Sequence, residues 1–134
     1  VLLSQASRND PTTVLAKHIN HFLEFSILHF DCYWLTTHCK DRNVDNVIKY
    51  LSKYSDALTL EYFHRIKPTE WDTLKTEEID LKSDFFWIDD APLSAEKEIL
   101  KEHSKSESLI QINTRKNEDD LLKAMELLKA ELSV

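Results

Sequence analysis

The chain has 134 residues, the size of one ordinary domain, and 42% of them are apolar, which provides a core and argues against disorder. Its 24 acidic and 17 basic residues give a formal charge of −7, which argues against a general nucleic-acid binder because such a protein needs a basic face. No apolar run approaches the roughly 20 residues of a membrane span, and no signal-peptide pattern opens the chain. We therefore expect a cytoplasmic protein without membrane contact.

Helix patterns dominate the first half of the chain. Residues 4–10 are polar and predict a loop. Asp10 and Pro11 are typical of a helix N-cap and first-turn proline, so the apolar spacing that follows predicts a helix over residues 11–29. A second helix is predicted over residues 41–54.

Strand patterns are short and lie between the helices. Residues 32–35 form an apolar run that ends in two threonines, and residues 57–63 predict a minor strand. The run over residues 85–88 is bounded by polar residues, which is typical of a strand buried on both faces. Residues 109–112 predict a further strand. Cys32 falls in the first of these strands, so we expect free thiols rather than a disulfide.

The remaining patterns are helical. Residues 74–79 predict one or two helical turns, and longer helices are predicted over residues 93–103 and 117–132. Helices and strands therefore alternate along the chain, which predicts an α/β fold with a mostly parallel sheet and helices on both faces. The pattern has no strand before the first helix. No linker or repeat divides residues 1–134, so we expect one domain.

Chemically useful side chains follow the predicted strands. Thr36 ends one strand, Asp89 and Asp90 end another, and Lys75 lies between them in the chain. Ligands of open α/β sheets bind at the carboxyl ends of the strands. A hydroxyl and an ammonium can hold phosphoryl oxygens, and paired carboxylates are natural ligands of Mg²⁺.

Each of these residues also has an ordinary structural interpretation. Thr36 would simply end a strand, and Lys75 would be one more solvated lysine. One carboxylate of the acidic pair would cap the next helix, while the other would be solvated. A receiver-like regulatory domain also uses clustered acids, threonine and lysine, but it carries its acidic pair after the first strand rather than after a late one.

Taken together, the order of these residues resembles the haloacid dehalogenase superfamily, most of whose members are Mg²⁺-dependent phosphohydrolases. The family's second motif is matched by the strand that ends at Thr36. Its lysine motif is best matched by Lys75, with Lys67 as the weaker candidate, and its acidic motif by Asp89 and Asp90. The resemblance implies a three-layer Rossmann-like fold, Mg²⁺ held by the two aspartates and a small phosphorylated substrate.

The chain departs from this family at the first motif. That motif is an apolar strand ending in Asp-x-Asp, whose first aspartate is the nucleophile, and nothing in the 134 residues matches it. Residues 1–3 look like the apolar residues that follow the motif. We therefore expect a domain that lacks its first, central strand through N-terminal truncation, with a parent protein that is a hydrolase and a given chain that is inactive.

Specificity in this superfamily is largely set by inserted cap segments. Residues 4–10 and 57–73 leave room for a small cap or none, and the resulting open site would admit macromolecular ends as well as small substrates. A non-catalytic member that binds a phosphorylated ligand or a protein partner remains the alternative, because the nucleophile is missing.

Overall fold

The computed structural model describes residues 1–132 and has a mixed α/β architecture. Its strands are β1 (Leu3–Ser7), β2 (Asp10–Leu15), β3 (Trp87–Asp89) and β4 (Leu109–Gln111). Its α-helices are α1 (Ile19–His29), α2 (Asp45–Ser52), α3 (Ala57–His64), α4 (Ser94–Glu102) and α5 (Asp120–Leu132). Short 3₁₀ turns cover Lys75–Glu78 and Ser106–Ser108. The domain predicted over residues 1–134 includes two residues, 133 and 134, that lie outside the described part.

The chain opens with an antiparallel hairpin of β1 and β2, in which Leu3 pairs with Leu15. The loop predicted over residues 4–10 is therefore wrong, and the helix predicted over residues 11–29 is confirmed only over Ile19–His29, as α1. The carboxylate of Asp10 accepts hydrogen bonds from the N–H and the hydroxyl of Thr12 at 3.0 and 2.6 Å, so it stabilises the start of a strand rather than a helix. The β-branched residues that follow favour this extended backbone.

The segment predicted as a minor strand over residues 57–63 is helix α3, so that prediction is also wrong. The carboxylate of Asp56 accepts the N–H of Thr59 at 2.9 Å and caps the helix. The Thr59 hydroxyl lies 2.8 Å from the Asn20 side chain of α1, and Phe63 is completely buried. Tertiary packing of the helix thus outweighs the strand propensity of its residues.

The predicted run over residues 32–35 forms one parallel bridge rather than a regular strand. Tyr33 pairs with Lys67. The N–H of Trp34 donates to the Lys67 carbonyl at 2.8 Å, and the Lys67 N–H donates to the Cys32 carbonyl at 2.9 Å. Both cysteines are free thiols. We refer to this single parallel bridge as the first half-sheet.

The second half-sheet is the parallel pair of β3 and β4, in which Trp87 pairs with Leu109 and Asp89 with Gln111. Helix α4 connects the two strands, as expected for a parallel pair. The strand predicted over residues 109–112, the helical turns predicted over residues 74–79 and the last two helices are confirmed. The strand predicted over residues 85–88 is present as β3 but begins two residues later, at Trp87. Within residues 1–132, these two parallel pairings are separate and do not form the continuous parallel sheet with helices on both faces that the sequence predicts.

The hydrophobic core lies where the helices pack against one another and against the half-sheets. Helix α1 packs against α3 and α5, and α2 packs against α3. Trp34, Phe63, Leu121 and Leu128 are among the buried core residues. Within residues 1–132, no helix is both long and apolar enough to cross a membrane.

Candidate functional site

A lysine–aspartate pair lies at the carboxyl end of β3. The Nζ of Lys75 is 2.7 Å from Oδ2 of Asp89. The side chain of Asp89 is 7% exposed and that of Lys75 is 21% exposed. Two residues that are 14 positions apart, and that the sequence placed on different elements, are thus brought into direct contact.

Two glutamates hold the backbone around Lys75. One carboxylate oxygen of Glu96, a residue of the first turn of α4, accepts the Lys75 N–H at 2.6 Å, and the other accepts the Leu93 N–H at 2.8 Å. The Glu77 carboxylate accepts the N–H groups of Asp72, Thr73 and Leu74, at 3.1, 3.1 and 2.6 Å. These bonds order the loop before the 3₁₀ turn and fix the direction in which the Lys75 side chain leaves it.

The charge of Asp89 is maintained despite its burial. Burial raises the pKa of the Asp89 carboxyl, but the Lys75 ammonium and the N–H of Ala91 favour the ionised form and together hold that pKa below its ordinary value. The Ala91 N–H lies 3.1 Å from Oδ1. Both carboxylate oxygens of Asp89 therefore have a partner within the protein.

Asp90 differs from its neighbour because it is exposed to solvent. Its carbonyl accepts a hydrogen bond from the Gln111 side chain at 3.2 Å. No group of three or more metal-binding side chains occurs in residues 1–132. A single acidic pair still agrees with the usual Mg²⁺ site, in which one or two carboxylates are completed by water and substrate phosphates. The metal role of Asp89 and Asp90 stays a prediction.

An open groove of about 1110 Å³ connects the acidic pair with the other predicted site residues. Thr36, Lys75, Asp89 and Asp90 all line it. The Thr36 hydroxyl oxygen accepts the N–H of His38 at 3.4 Å. That hydroxyl donates to no other side chain or carbonyl of residues 1–132, so its proton is available to a bound ligand.

The wall of the groove includes the edges of both half-sheets. In a parallel strand, one residue directs its N–H and C=O to one side and the next residue directs them to the other. Because Cys32 and Trp34 bond to Lys67, the peptide groups of Tyr33 point away from that bridge. Because the Asp89 carbonyl accepts the N–H of Ile112 at 3.1 Å, those of Ile88 point away from β4.

Lys67, the weaker lysine candidate, is not part of this site. Its ammonium lies 3.2 Å from Asp31, and both side chains are mostly exposed. It is also absent from the groove wall. The geometry therefore favours Lys75 over Lys67 as the lysine that accompanies the acidic pair.

Sequence reasoning missed two residues of the site, Glu96 and Arg115. Glu96 is 2% exposed. Its spacing of three from Leu93, at the start of a predicted helix, is the N3 position at which glutamates bond back to the helix cap, and this pattern could have identified it. Arg115 lines the groove from the loop after β4. No local pattern distinguishes it from other exposed arginines.

Comparisons with protein-family models, with curated proteins and with solved structures found no match to this chain.

Proposed function

We propose that this chain is the core of a Mg²⁺-dependent phosphohydrolase of the haloacid dehalogenase type, acting on a small phosphorylated molecule. The observation that carries the proposal is the contact of Lys75 with Asp89 at the end of a parallel strand, in a groove that Thr36 also lines. Residues selected from the sequence for one chemistry thus line one groove.

In this proposal, Thr36 and Lys75 bind the phosphoryl oxygens. The hydroxyl donates a hydrogen bond, and the ammonium offsets the charge that develops on the transferring group. Asp89 orients the Lys75 ammonium and, with Asp90, would hold Mg²⁺, which supplies further charge neutralisation when bound. The nucleophile and the general acid–base would be two aspartates of an Asp-x-Asp motif upstream of Val1, and the reaction would pass through an aspartyl phosphate.

We infer that a further strand, which carries the Asp-x-Asp motif, lies between the two half-sheets in the parent protein. An extended segment in the groove would find the free peptide edges at Tyr33 and Ile88 on either side. Three buried polar side chains of the groove wall, Ser26, Trp34 and Trp87, have hydroxyl or indole groups without a hydrogen-bond partner in residues 1–132. A strand inserted between them would complete a continuous parallel sheet and offer carbonyl acceptors.

The position of Val1 agrees with this arrangement. Val1 lines the groove together with Asp89 and Asp90. Backbone directly upstream of Val1 would therefore leave from beside the acidic pair. The last residues of an inserted strand would then lie at the site where a nucleophile is needed.

The first test is the sequence upstream of Val1 in the parent protein, where we expect an apolar strand ending in Asp-x-Asp. The full-length protein should then hydrolyse members of a panel of phosphorylated small molecules, including p-nitrophenyl phosphate, only with Mg²⁺. The 134-residue chain should be inactive. Absence of the motif, or of any Mg²⁺-dependent hydrolysis by the full-length protein, overturns the proposal.

Substitution of the two candidate lysines sharpens this test. Lys75→Ala in the full-length protein should lower kcat by about 10²- to 10³-fold, the usual cost of removing one group that stabilises the transition state. Lys67→Ala removes a lysine outside the groove and should leave kcat close to that of the parent. Loss of activity in the Lys67 variant instead would reverse the assignment of the two lysines.

The alternative function is a non-catalytic domain that binds a phosphorylated ligand. The specific observation in its favour is that both carboxylate oxygens of Asp89 are already bonded within the protein. Binding of inorganic phosphate by a full-length protein that hydrolyses no phosphate ester would support this alternative.

A further inference from the structure

The loop after β4 carries an arginine at the edge of the groove. The loop is fixed to β1 by two bonds that span more than 100 residues of sequence. The Thr114 hydroxyl donates to the Leu3 carbonyl at 2.6 Å, and the Ser4 hydroxyl donates to the Thr114 carbonyl at 2.7 Å. Thr114 is buried, whereas Arg115 is exposed on the groove side. The position of the Arg115 backbone is thus determined by buried contacts.

The same loop lies beside the acidic pair. Ile112, at the end of β4, donates its N–H to the Asp89 carbonyl. The side-chain oxygen of Asn113 then accepts the N–H groups of Arg115 and Lys116, both at 3.1 Å, which closes a tight turn. This turn directs the chain around the carboxyl end of the half-sheet, where the acidic pair also lies.

The charges of the groove wall make Arg115 unusual. The wall has two cationic side chains, Lys75 and Arg115. Its carboxylates are those of Asp31, Glu78, Asp80, Asp84, Asp89 and Asp90. Lys75 is neutralised by Asp89. Among residues 1–132, no side chain forms an ion pair or a hydrogen bond with the Arg115 guanidinium, even though the groove is rich in carboxylates.

We propose that Arg115 binds a second anionic group of the substrate, a phosphate or a carboxylate, and so selects substrates that carry two separate anionic groups. The inference rests on the proposed function, which assigns the reacting phosphoryl group to Thr36 and Lys75. A guanidinium presents two parallel N–H donors that match a phosphate or carboxylate, and it stays charged at every physiological pH. In this proposal, Arg115 is a specificity residue and takes no part in the bond that breaks.

The test compares the binding of three probes that are not phosphate esters: inorganic phosphate, pyrophosphate and phosphonoacetate. Titration calorimetry on the full-length protein, with Mg²⁺ in excess, should give a Kd for a probe with two anionic groups about 10- to 100-fold below that for phosphate, as expected for hydrogen bonds to charged groups. Arg115→Ala should abolish this gain and leave phosphate binding unchanged. A gain confined to pyrophosphate identifies the second group as a phosphate, and one confined to phosphonoacetate identifies it as a carboxylate.

Lys116→Ala is the matched control, because it removes a neighbouring exposed cation that is outside the groove wall. This variant should keep the full gain in affinity for the probe with two anionic groups. Equal affinity for all three probes, an unchanged gain in Arg115→Ala, or no binding of any probe overturns the inference. A full-length protein that hydrolyses no ester but keeps an Arg115-dependent gain refutes the proposed function alone, and an active enzyme without the gain refutes the inference alone.

Discussion

Two lysine–aspartate pairs belong to different halves of the molecule and differ in their surroundings. Lys75 and Asp89, beside β3, are 2.7 Å apart, with 21% and 7% of their side chains exposed. Lys67 and Asp31, beside the Tyr33 bridge, are 3.2 Å apart, with 53% and 79% exposed. The chemical groups are the same, but only the first pair is enclosed by other parts of the protein.

The surrounding contacts indicate which of the two pairs the fold holds in a defined geometry. An exposed ion pair is screened by water and requires no supporting contacts. An enclosed pair loses hydration, so its charges persist only where hydrogen bonds and geometry compensate. Around Lys75 and Asp89, that compensation comes from the N–H of Ala91 and from the bond of Glu96 to the Lys75 backbone.

The largest expected effect on stability comes from breaking the enclosed pair. Asp89→Ala leaves the Lys75 ammonium and the Ala91 N–H without their acceptor, so the free energy of unfolding should fall by about 2–4 kcal/mol. Urea unfolding of the two proteins at neutral pH measures this loss in the free energy of unfolding. A midpoint equal to or above that of the unsubstituted protein would mean that Asp89 is retained for chemistry at a cost in stability.

A smaller loss is expected when the support of Lys75 is removed. Glu96→Ala deprives two backbone N–H groups, those of Lys75 and Leu93, of their acceptor and should lower the free energy of unfolding by about 1–3 kcal/mol. Glu98→Ala, an exposed substitution on the same helix, is the matched control. If the two variants unfold at the same urea concentration, the Glu96 bonds do not stabilise the turn.

The pH dependence of the enclosed pair has a defined sign. Because the folded pKa of Asp89 lies below its ordinary value of 3.8, its ionised form stabilises the fold above that value. This contribution is lost as the pH falls below about 4 and through the folded pKa. The difference in unfolding free energy between the unsubstituted protein and Asp89→Asn should therefore become smaller as the pH falls from 6 to 2. A difference that stays constant over this range would contradict the prediction.

The smallest effect is expected at the exposed pair. The hydrogen bond and charge of Asp31 raise the pKa of Lys67, but both groups remain in contact with water. Asp31→Ala should leave the urea midpoint within experimental error at physiological salt, because exposed pairs are screened. A clear destabilisation would show that the comparison of the two pairs is wrong.

Prediction from sequence succeeded in the second half of the chain. The helix over residues 93–103 and the strand over residues 109–112 correspond closely to α4 and β4. In this half, helix α4 follows β3 directly, and the local patterns agree with the tertiary contacts. Hydrophobic periodicity therefore predicts the elements correctly.

Prediction failed where a local pattern had two possible outcomes. Asp10 followed by Pro11 is typical of a helix start, yet Asp10 bonds to Thr12 and the chain continues as β2. The apolar residues of α3 fit a strand pattern equally well. The helix is favoured because it buries Phe63 completely. Short apolar runs do not distinguish strand from buried helix without knowledge of what they pack against.

Periodicity and the residues at the strand ends were enough to predict a mixed α/β chain and to select Lys75 and the two aspartates as candidates for one site. The contacts of the folded chain were needed to show that Lys75 rather than Lys67 meets Asp89 and that Glu96 holds the Lys75 backbone. They were also needed to show that Arg115 lines the groove without an ion pair within residues 1–132. Local patterns cannot predict these contacts, because periodicity and capping act over a few residues. The contacts join segments that are separated by 14 to more than 100 positions in the sequence.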